Sequence, residues 1–318
     1  MEKGLTNENE GQQVIFALAA SPDFSTSGIC FAGRDAGLFQ SVDEGKTWHS
    51  ALDALALPAP LPVTSLTLSK AFPTDGIVFA GTSGGVLHSA DGGKTWSIQI
   101  LRSPSPLVSS LVLSPNFAND GMLFAGTVQD GIFRSTAQGD QWISWNFGLY
   151  DSNIFCLAIS PEFTNDQLLF AGTESGIFTS HNGGRSWRET SFPVERAPVI
   201  CMALSPDFTH KPILFAGADS AGLFRSTDAG RTWQAVKSLK VSGPVNSIIL
   251  SDDFSNDLSL LVGLGAHIMV SRDGGEIWKN WKKGLKFTDG LVSVAAPSGI
   301  REGSSLLVGL GDGRVVKI

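Results

Sequence analysis

The sequence predicts an all-β fold, a seven-bladed β-propeller built from four-stranded antiparallel blades. Two repeating patterns support this prediction. A motif that reads SVDEGKTW at residues 41–48 occurs six times, 45 to 48 residues apart, and a short apolar segment with small residues occurs seven times. No window shows sustained helical periodicity. A repeat of this length is typical of propeller blades, and the seven apolar segments indicate seven of them.

Six of the seven repeats contain the same four strand-like segments in the same order. In the second repeat they read VTSLTLS, then IVFAGT after a connector that contains a Phe, then GVLHS, and last a segment that begins at the motif Trp. Short runs rich in Val, Ile, Leu and Phe, bounded by Gly, Pro, Asp and Ser, are typical of strands. The blade repeats cover residues 14–53, 63–101, 108–149, 154–192, 199–239, 245–285 and 291–318 of one propeller domain, residues 1–318.

The last repeat lacks its fourth strand, because the sequence ends where the motif would begin. The Gly-Leu pair at residues 4–5 aligns with the Gly-Leu pairs at 148–149 and 284–285, which follow the fourth strands of the third and sixth repeats. An open sheet edge would leave backbone groups unpaired. We therefore expect residues 1–6 to supply a short outer strand for the last blade, and a longer natural N-terminal extension is the alternative.

The repeated motif predicts a braced turn between the third and fourth strands. An Asp or Asn directly after a strand accepts hydrogen bonds from the next backbone N–H groups, and a Gly two residues later supplies a positive φ. The Trp covers the turn with a large apolar ring. The residues with this structural role are Asp43, Asp91, Asn182, Asp228 and Asp273, with Trp48, Trp96, Trp142, Trp187, Trp233 and Trp278. The third repeat departs from the pattern, with Ala137 in place of Asp and Gln141 in place of Thr.

The three cysteines, Cys30, Cys156 and Cys201, form no CxxC pair. We therefore expect buried thiols rather than a disulfide framework or a zinc site. Cys156 and Cys201 fall at one position of the first segment, which is occupied by Ala or Ser in the other repeats. A position restricted to such small residues is predicted to be crowded and close to the propeller axis.

The charge pattern argues against two classes of partner. The formal net charge is −7, with acidic and basic residues mixed and no basic run. Nucleic acids and anionic membrane surfaces are bound through clustered Lys and Arg. No apolar run approaches the ~18 residues of a transmembrane helix, and the polar N-terminus contains no signal peptide. We expect a monomer that is cytoplasmic as the sequence stands, or extracytoplasmic if a leader has been removed.

A candidate binding site is predicted at the turns between the second and third strands, which share one face at the channel mouth. Its residues are Arg34, Asp35, Gln129, Asp130, Glu174, Asp219, His267 and Asp312. A ring of acids would attract cations or basic segments. Two carboxylates about 6.5–9.5 Å apart would also serve as the acid and base of an inverting glycosidase. The ordinary preference of turns for Asp and Gly explains the same residues without any ligand.

The repeats resemble the BNR/Asp-box family, whose pattern is Ser/Thr-x-Asp-x-Gly-x-Thr-Trp. The resemblance implies a propeller with its boxes on the face opposite the usual binding site. It does not specify a function, because the box occurs in sialidases, xyloglucan hydrolases, sortilin-like receptors and photosystem II assembly factors. The sequence looks closest to the photosystem II assembly or stability factor-like group, which consists of scaffolds without enzymatic activity. A sialidase would need an arginine triad, a tyrosine nucleophile and an Arg-Ile-Pro motif, whereas this chain has one tyrosine, Tyr150, and no Arg-Ile-Pro.

These observations favour a non-catalytic scaffold for protein binding or assembly, with another protein or a peptide segment as partner. The alternative is a polysaccharide-active glycoside hydrolase or a lectin-like carbohydrate-binding module that uses the acidic turns. No Ser-His-Asp, phosphate-loop or dinucleotide signature occurs, so we assign no catalytic residue, no cofactor and no metal. A proline-rich loop with Leu55, Leu57 and Leu61 is either an exposed apolar patch for a partner or packs over the channel.

Overall fold

The computed structural model describes residues 13–102, 106–194, 196–240 and 243–318 and confirms the seven-bladed propeller. Blade 1 contains β1 (Ile15–Ala20), β2 (Cys30–Arg34), β3 (Gly37–Ser41) and β4 (His49–Ser50). Blade 2 contains β5 (Val63–Leu68), β6 (Val78–Thr82), β7 (Gly85–Ser89) and β8 (Ser97–Gln99). Blade 3 contains β9 (Leu107–Leu113), β10 (Leu123–Val128), β11 (Gly131–Ser135) and β12 (Ile143–Ser144).

The remaining blades repeat this order. Blade 4 contains β13 (Ile154–Ile159), β14 (Leu169–Thr173), β15 (Ile177–Ser180) and β16 (Arg188–Glu189). Blade 5 contains β17 (Val199–Leu204), β18 (Leu214–Ala218), β19 (Gly222–Ser226) and β20 (Gln234–Ala235). Blade 6 contains β21 (Val245–Leu250), β22 (Leu260–Leu264), β23 (His267–Ser271) and β24 (Lys279–Asn280). Blade 7 contains β25 (Leu291–Ala295), β26 (Leu307–Leu310) and β27 (Val315–Lys317).

Within each blade, neighbouring strands pair antiparallel in chain order. The first strands of successive blades contact one another around a closed ring, from β1 through β25 and back to β1. They therefore form the wall of a central channel, and the short fourth strands lie at the outer rim. The core consists of the layers between adjacent blades, where the second and third strands are almost entirely buried.

Five one-turn helices interrupt the strand pattern that the sequence predicts. They are α1 (Phe24–Ser27), α2 (Phe72–Asp75), α3 (Phe117–Asp120), α4 (Phe163–Asp166) and α5 (Phe254–Asp257), and a 3₁₀ turn covers Asp53–Leu55. Each α-helix begins at the buried connector Phe, and four residues are too few for a helical period to be visible in the sequence. No described helix is long and apolar enough to cross a membrane.

A glycine near the end of each second strand makes room for the next blade. A Cβ at Gly172 would lie 2.5 Å from the carbonyl oxygen of Val199 in blade 5 and 2.5 Å from Sγ of Cys156. The equivalent glycines are Gly33, Gly81, Gly126, Gly217, Gly263 and Gly309. The adjacent small-residue position, which includes Cys156, is therefore crowded, as predicted. The three cysteines are free thiols, and Cys201 is only partly buried.

Blade 7 packs against blade 1 and closes the ring. A Cβ at Gly309 would lie 2.5 Å from the side chain of Ile15, and the Ser293 hydroxyl donates a hydrogen bond to Ile15 O at 3.0 Å. The predicted fourth strand of this blade falls on residues 1–6, which lie outside the described residues. No described strand pairs with the outer edge of β27. A groove of about 650 Å³ lies between this blade and the outer strands of blade 6, with Trp281 in its wall.

The turns formed by the repeated motif, such as residues 41–48 of blade 1, are called box turns, and hydrogen bonds brace them as predicted. In blade 1, Asp43 Oδ1 accepts the backbone N–H groups of Lys46 at 3.0 Å and Thr47 at 2.8 Å, and its Oδ2 accepts the Thr47 hydroxyl at 2.6 Å. Gly45 has a φ of +84°. The Trp48 indole N–H donates to Gly45 O at 3.1 Å. In blade 3, where Ala137 replaces the Asp, none of these carboxylate bonds is available.

These bonds predict a contribution of the boxes to acid stability. The hydroxyl of Thr47 and further N–H donors lower the pKa of Asp43 to about 2, and Thr95 acts in the same way on Asp91, with a pKa of about 2. An unfolded Asp has a pKa of about 3.9. Because the folded pKa is the lower one, these carboxylates stabilise the fold above about pH 4 and lose their effect as the pH falls toward 2.

We therefore expect the double variant Asp43→Asn, Asp91→Asn to lose less thermal stability between pH 5 and pH 2 than the parent protein, as measured by the melting temperature at each pH. Asn is tolerated in this turn, since Asn182 Oδ1 accepts the Ser186 N–H at 2.9 Å in blade 4. The control is Asp219→Asn, an exposed turn residue whose carboxylate accepts no hydrogen bond from a described residue. A double variant with the acid sensitivity of the parent would contradict the prediction.

Candidate functional site

Hydrogen bonds between loops distinguish two faces of the disc. The Glu44 N–H donates to Gly28 O at 3.0 Å, so the boxes share a face with the connectors between first and second strands, and we call it the box face. On the opposite face, the Asp219 N–H donates to Pro198 O at 2.9 Å, which joins a turn between second and third strands to the entry of its own blade. We call this opposite face the turn face, and the predicted candidate residues belong to its turns.

Three of the five predicted carboxylates on the turn face are engaged by a neighbouring side chain. The contacts are Asp130 with Arg102 at 3.1 Å, Glu174 with Asn153 at 2.6 Å and Asp312 with Arg314 at 2.5 Å. Asp35, on blade 1, is partly buried, and Asp219, on blade 5, is exposed. The turn face therefore does not carry a ring of five free acids, because Asp130 pairs with Arg102 and Asp312 shares Arg314 with Asp289.

The other predicted residues differ in their exposure. Arg34 is only 1% exposed; its guanidinium lies 5.0 Å from the centre of the Phe39 ring and donates to the side chain of Gln13. Gln129 is exposed, with a φ of +79°. His267 is partly buried at the start of β23, and its Nδ1 has no hydrogen-bond partner among the described residues. Arg34 is thus held beneath its turn, in contrast to the surface position expected from the sequence.

Asp151 is a further carboxylate on the turn face, and the repeats do not reveal it. Its Oδ1 accepts the Asn153 N–H at 2.9 Å and its Oδ2 accepts the Ser175 N–H at 2.7 Å. Burial acts to raise the pKa of Asp151, but these hydrogen bonds outweigh burial and the pKa lies below its ordinary value. The carboxylate therefore fixes the entry of blade 4 against the turn that carries Glu174.

The wall of the central channel carries no charge. None of the seven first strands contains Asp, Glu, Lys, Arg or His. Every first strand has a β-bulge close to the turn face. The bulge lies at the second residue of six strands and at the third residue of β9. The residues at the bulge are Phe16, Thr64, Ser109, Phe155, Ile200, Asn246 and Val292. Phe16 is 38% exposed, and the other six are partly buried.

Three of the bulge residues are polar, and each uses its polar group to join two blades. Thr64 donates to Val108 O at 2.6 Å, Ser109 to Ile154 O at 2.5 Å and Asn246 to Leu291 O at 2.6 Å. The remaining four present apolar surface at the channel mouth. Such a wall favours contact with apolar groups and offers no acid or base at the bulge.

Two further features bear on the site. Among the described residues, no group of three or more His, Cys, Asp or Glu side chains is placed to hold a metal ion. In the proline-rich loop, Leu55 and Leu61 pack against the core of blades 1 and 2, and only Leu57 is exposed, at 37%. The apolar patch expected there is thus reduced to a single side chain.

Comparison with solved structures supports the seven-bladed architecture. YCF48 from Cyanidioschyzon merolae is 17% identical with a TM-score of 0.67, and the match covers 99% of this chain and 98% of that one. A structure of YCF48 bound to D1 peptide is 16% identical with a TM-score of 0.68, covering 97% and 94%. The GH74 xyloglucanase from Xanthomonas campestris is 15% identical with a TM-score of 0.72, covering 95% of this chain.

This chain spans 51% of the length of the xyloglucanase, and therefore corresponds to about half of that protein. No protein-family model and no curated protein sequence matches the chain. At these identities the likeness concerns the fold, and the same fold carries unrelated functions.

Proposed function

We propose that this chain is a non-catalytic scaffold that binds a peptide segment of a partner protein on its turn face. In this proposal an apolar side chain of the segment enters the channel mouth and contacts Phe16 and Phe155. The uncharged channel wall is the observation that carries the proposal, because glycoside hydrolysis requires two suitably placed carboxylates. The exposed ring of Phe16 also offers the kind of rigid aromatic contact that concentrates binding energy in protein interfaces.

The comparisons support a peptide ligand without deciding the function. YCF48, 94% of which is covered by the match, has been solved with the D1 peptide bound. The runner-up function, a polysaccharide hydrolase or carbohydrate-binding module, is supported by the GH74 neighbour. Against it stands the uncharged channel wall; the carboxylates of Asp130 and Glu174 lie in turns outside the first strands, in contact with Arg102 and Asn153.

The proposal is tested by selecting binders from a displayed library of random peptides. We expect the selected peptides to share an aromatic or aliphatic residue, and the double variant Phe16→Ser, Phe155→Ser to weaken their binding by about tenfold or more. Ser is compatible with the fold at this position, since Ser109 occupies it in blade 3. Peptide dissociation constants measured by calorimetry provide the comparison.

The matched control is the double variant Asp130→Ala, Glu174→Ala, which we expect to weaken peptide binding only slightly. The same proteins are assayed with a panel of polysaccharides, including xyloglucan. Hydrolysis by the parent that disappears in the Asp130→Ala, Glu174→Ala variant would replace the scaffold proposal with the hydrolase. Selected peptides whose affinity is unchanged by the Phe16→Ser, Phe155→Ser variant would refute the location at the channel mouth.

A further inference from the structure

A small pocket lies on the box face between blades 3 and 4, and two arginines in its wall lie near the indole ring of Trp145. The guanidinium carbon of Arg134 lies 4.1 Å from the centre of the Trp145 ring, and that of Arg185 lies 5.9 Å from it. The pocket has a volume of about 220 Å³ and is also lined by Asn182 and Gln167. It lies across the disc from the channel mouth of the proposed peptide site.

Two residues at the position of Arg134 in other third strands bond to the box of the next blade, whereas Arg134 does not. In blade 1 this position is Gln40, which donates to Gly92 O of the next box at 2.7 Å. In blade 5 it is Arg225, which donates to Gly274 O of the next box at 2.9 Å and contacts Glu276 at 3.2 Å. The equivalent acceptor for Arg134 is Gly183 O, and that bond is not made.

Trp145 accounts for this difference. The equivalent residues are Ala51 in blade 1 and Val236 in blade 5. Each of the three donates its backbone N–H to the carbonyl oxygen of the second residue of the third strand in its own blade, namely Leu38, Ile132 or Leu223. The indole ring of Trp145 is larger than the Ala51 and Val236 side chains, and it forms a cation–π contact with the Arg134 guanidinium. The guanidinium is therefore held over the ring instead of against the next box.

The donors of Arg134 are left poorly satisfied by the described residues. Its Nε is buried and has no hydrogen-bond partner. Its Nη2 reaches only the Met122 sulfur, at 3.5 Å, and a thioether is a weak acceptor. An external acceptor cannot reach the buried Nε, but at Nη2 a carboxylate oxygen would replace the weak sulfur acceptor with a stronger one and would be bound favourably.

The charges of the pocket indicate the kind of acceptor. No described carboxylate forms an ion pair with Arg134 or Arg185. Asp120 also lines the pocket, but its oxygens accept the Ser114 hydroxyl at 2.6 Å and the Met122 N–H at 2.9 Å. Two arginines and one aspartate give the lining a net charge of +1, which a single carboxylate neutralises and a phosphate dianion would exceed.

We propose that this pocket binds one carboxylate group, with Arg134 and Arg185 as the charged donors and Trp145 as the platform that orients Arg134. Guanidinium and carboxylate match in geometry and form charge-assisted hydrogen bonds. The carboxylate belongs either to an acidic side chain of a bound protein segment or to a small free acid.

The test uses a blocked peptide with one central Glu between glycines, its Gln analogue, acetate and inorganic phosphate, each titrated against the whole chain. Binding is followed by the indole N–H signal of Trp145 in nuclear magnetic resonance spectra, assigned by its loss in Trp145→Phe. We expect the Glu peptide to shift this signal saturably and the Gln peptide to bind about tenfold more weakly or not at all. If acetate binds as tightly as the Glu peptide, a small free acid is a sufficient ligand. If acetate binds more weakly than the Glu peptide, the ligand is an acidic side chain of a bound peptide segment.

Arg134→Gln is expected to weaken binding of the Glu peptide about tenfold, and the fold accepts Gln here because Gln40 occupies the same position in blade 1. Arg185→Gln should act in the same direction. Arg225→Gln is the matched control, since Arg225 is already bonded within the protein, and it should leave binding unchanged. Equal binding of the Glu and Gln peptides, or tighter binding of phosphate than of the Glu peptide, would overturn the proposal.

Discussion

Replacing Gly172 by Ala is expected to destabilise the propeller by about 2–3 kcal/mol, because the added Cβ overpacks the boundary between blades 4 and 5. The Cβ would lie 2.5 Å from Val199 O and 2.5 Å from Sγ of Cys156. The thiol can rotate, but the carbonyl oxygen moves only if β17 moves with it. Denaturant unfolding of the parent and the variant measures the loss as a lower midpoint.

A double variant separates the two contacts. Cys156→Ala removes the thiol and leaves Val199 O in place, so Cys156→Ala with Gly172→Ala should recover only part of the stability lost in Gly172→Ala. Cys156→Ala alone is the control, and Ala is compatible with this position because blade 1 has Ala17 there. If Gly172→Ala unfolds at the same denaturant concentration as the parent, the blades separate at this boundary without appreciable cost, and the packing account is wrong.

The fold was predictable because its determinants are local and repeated. The bonds of a box, such as those from Asp43 to Lys46 and Thr47, connect residues at most four apart, so one motif encodes one turn. Seven copies of the first strand then specify seven blades. The glycines of the second strands are also visible in sequence, but their reason, the close approach of the next blade, requires the assembled ring.

The site was less predictable because it depends on contacts between different repeats. Asp130 is neutralised by Arg102, which lies in the segment that leads into blade 3 and belongs to no repeating position. The sequence predicts a surface position for Arg34 because it lies next to a turn, whereas its side chain folds back over Phe39. Phe16 lies at the bulge of β1, and a bulge leaves no signature in a strand of apolar residues.

The same distinction between local and inter-blade contacts separates two box tryptophans. Trp187 of blade 4 is 2% exposed, and its indole N–H donates across the blade boundary to Trp145 O at 2.9 Å. Trp142 of blade 3 is partly buried, and its indole nitrogen is buried without a hydrogen-bond partner among the described residues. The two tryptophans occupy the same position of the motif in the sequence, but their indole groups differ in burial and hydrogen bonding in the structure.

We therefore expect their substitutions to differ in sign. Trp187→Ala should cost about 3–5 kcal/mol, since it leaves a large cavity and an unpaired carbonyl. Trp187→Phe should still be destabilising by about 1–2 kcal/mol, because the lost hydrogen bond is not replaced. Trp142→Phe should be neutral or stabilising by up to about 1 kcal/mol, since it removes a donor that has no acceptor.

The two Phe variants form the decisive comparison, because the change in side-chain volume is the same in both, whereas the hydrogen bond and the burial of the ring differ. Denaturant unfolding of both proteins under one condition gives the difference in their free energies of unfolding. Equal losses would mean that ring size alone determines the role of the box Trp. A larger loss at Trp187 would mean that the box stabilises the propeller chiefly where its indole joins one blade to the next.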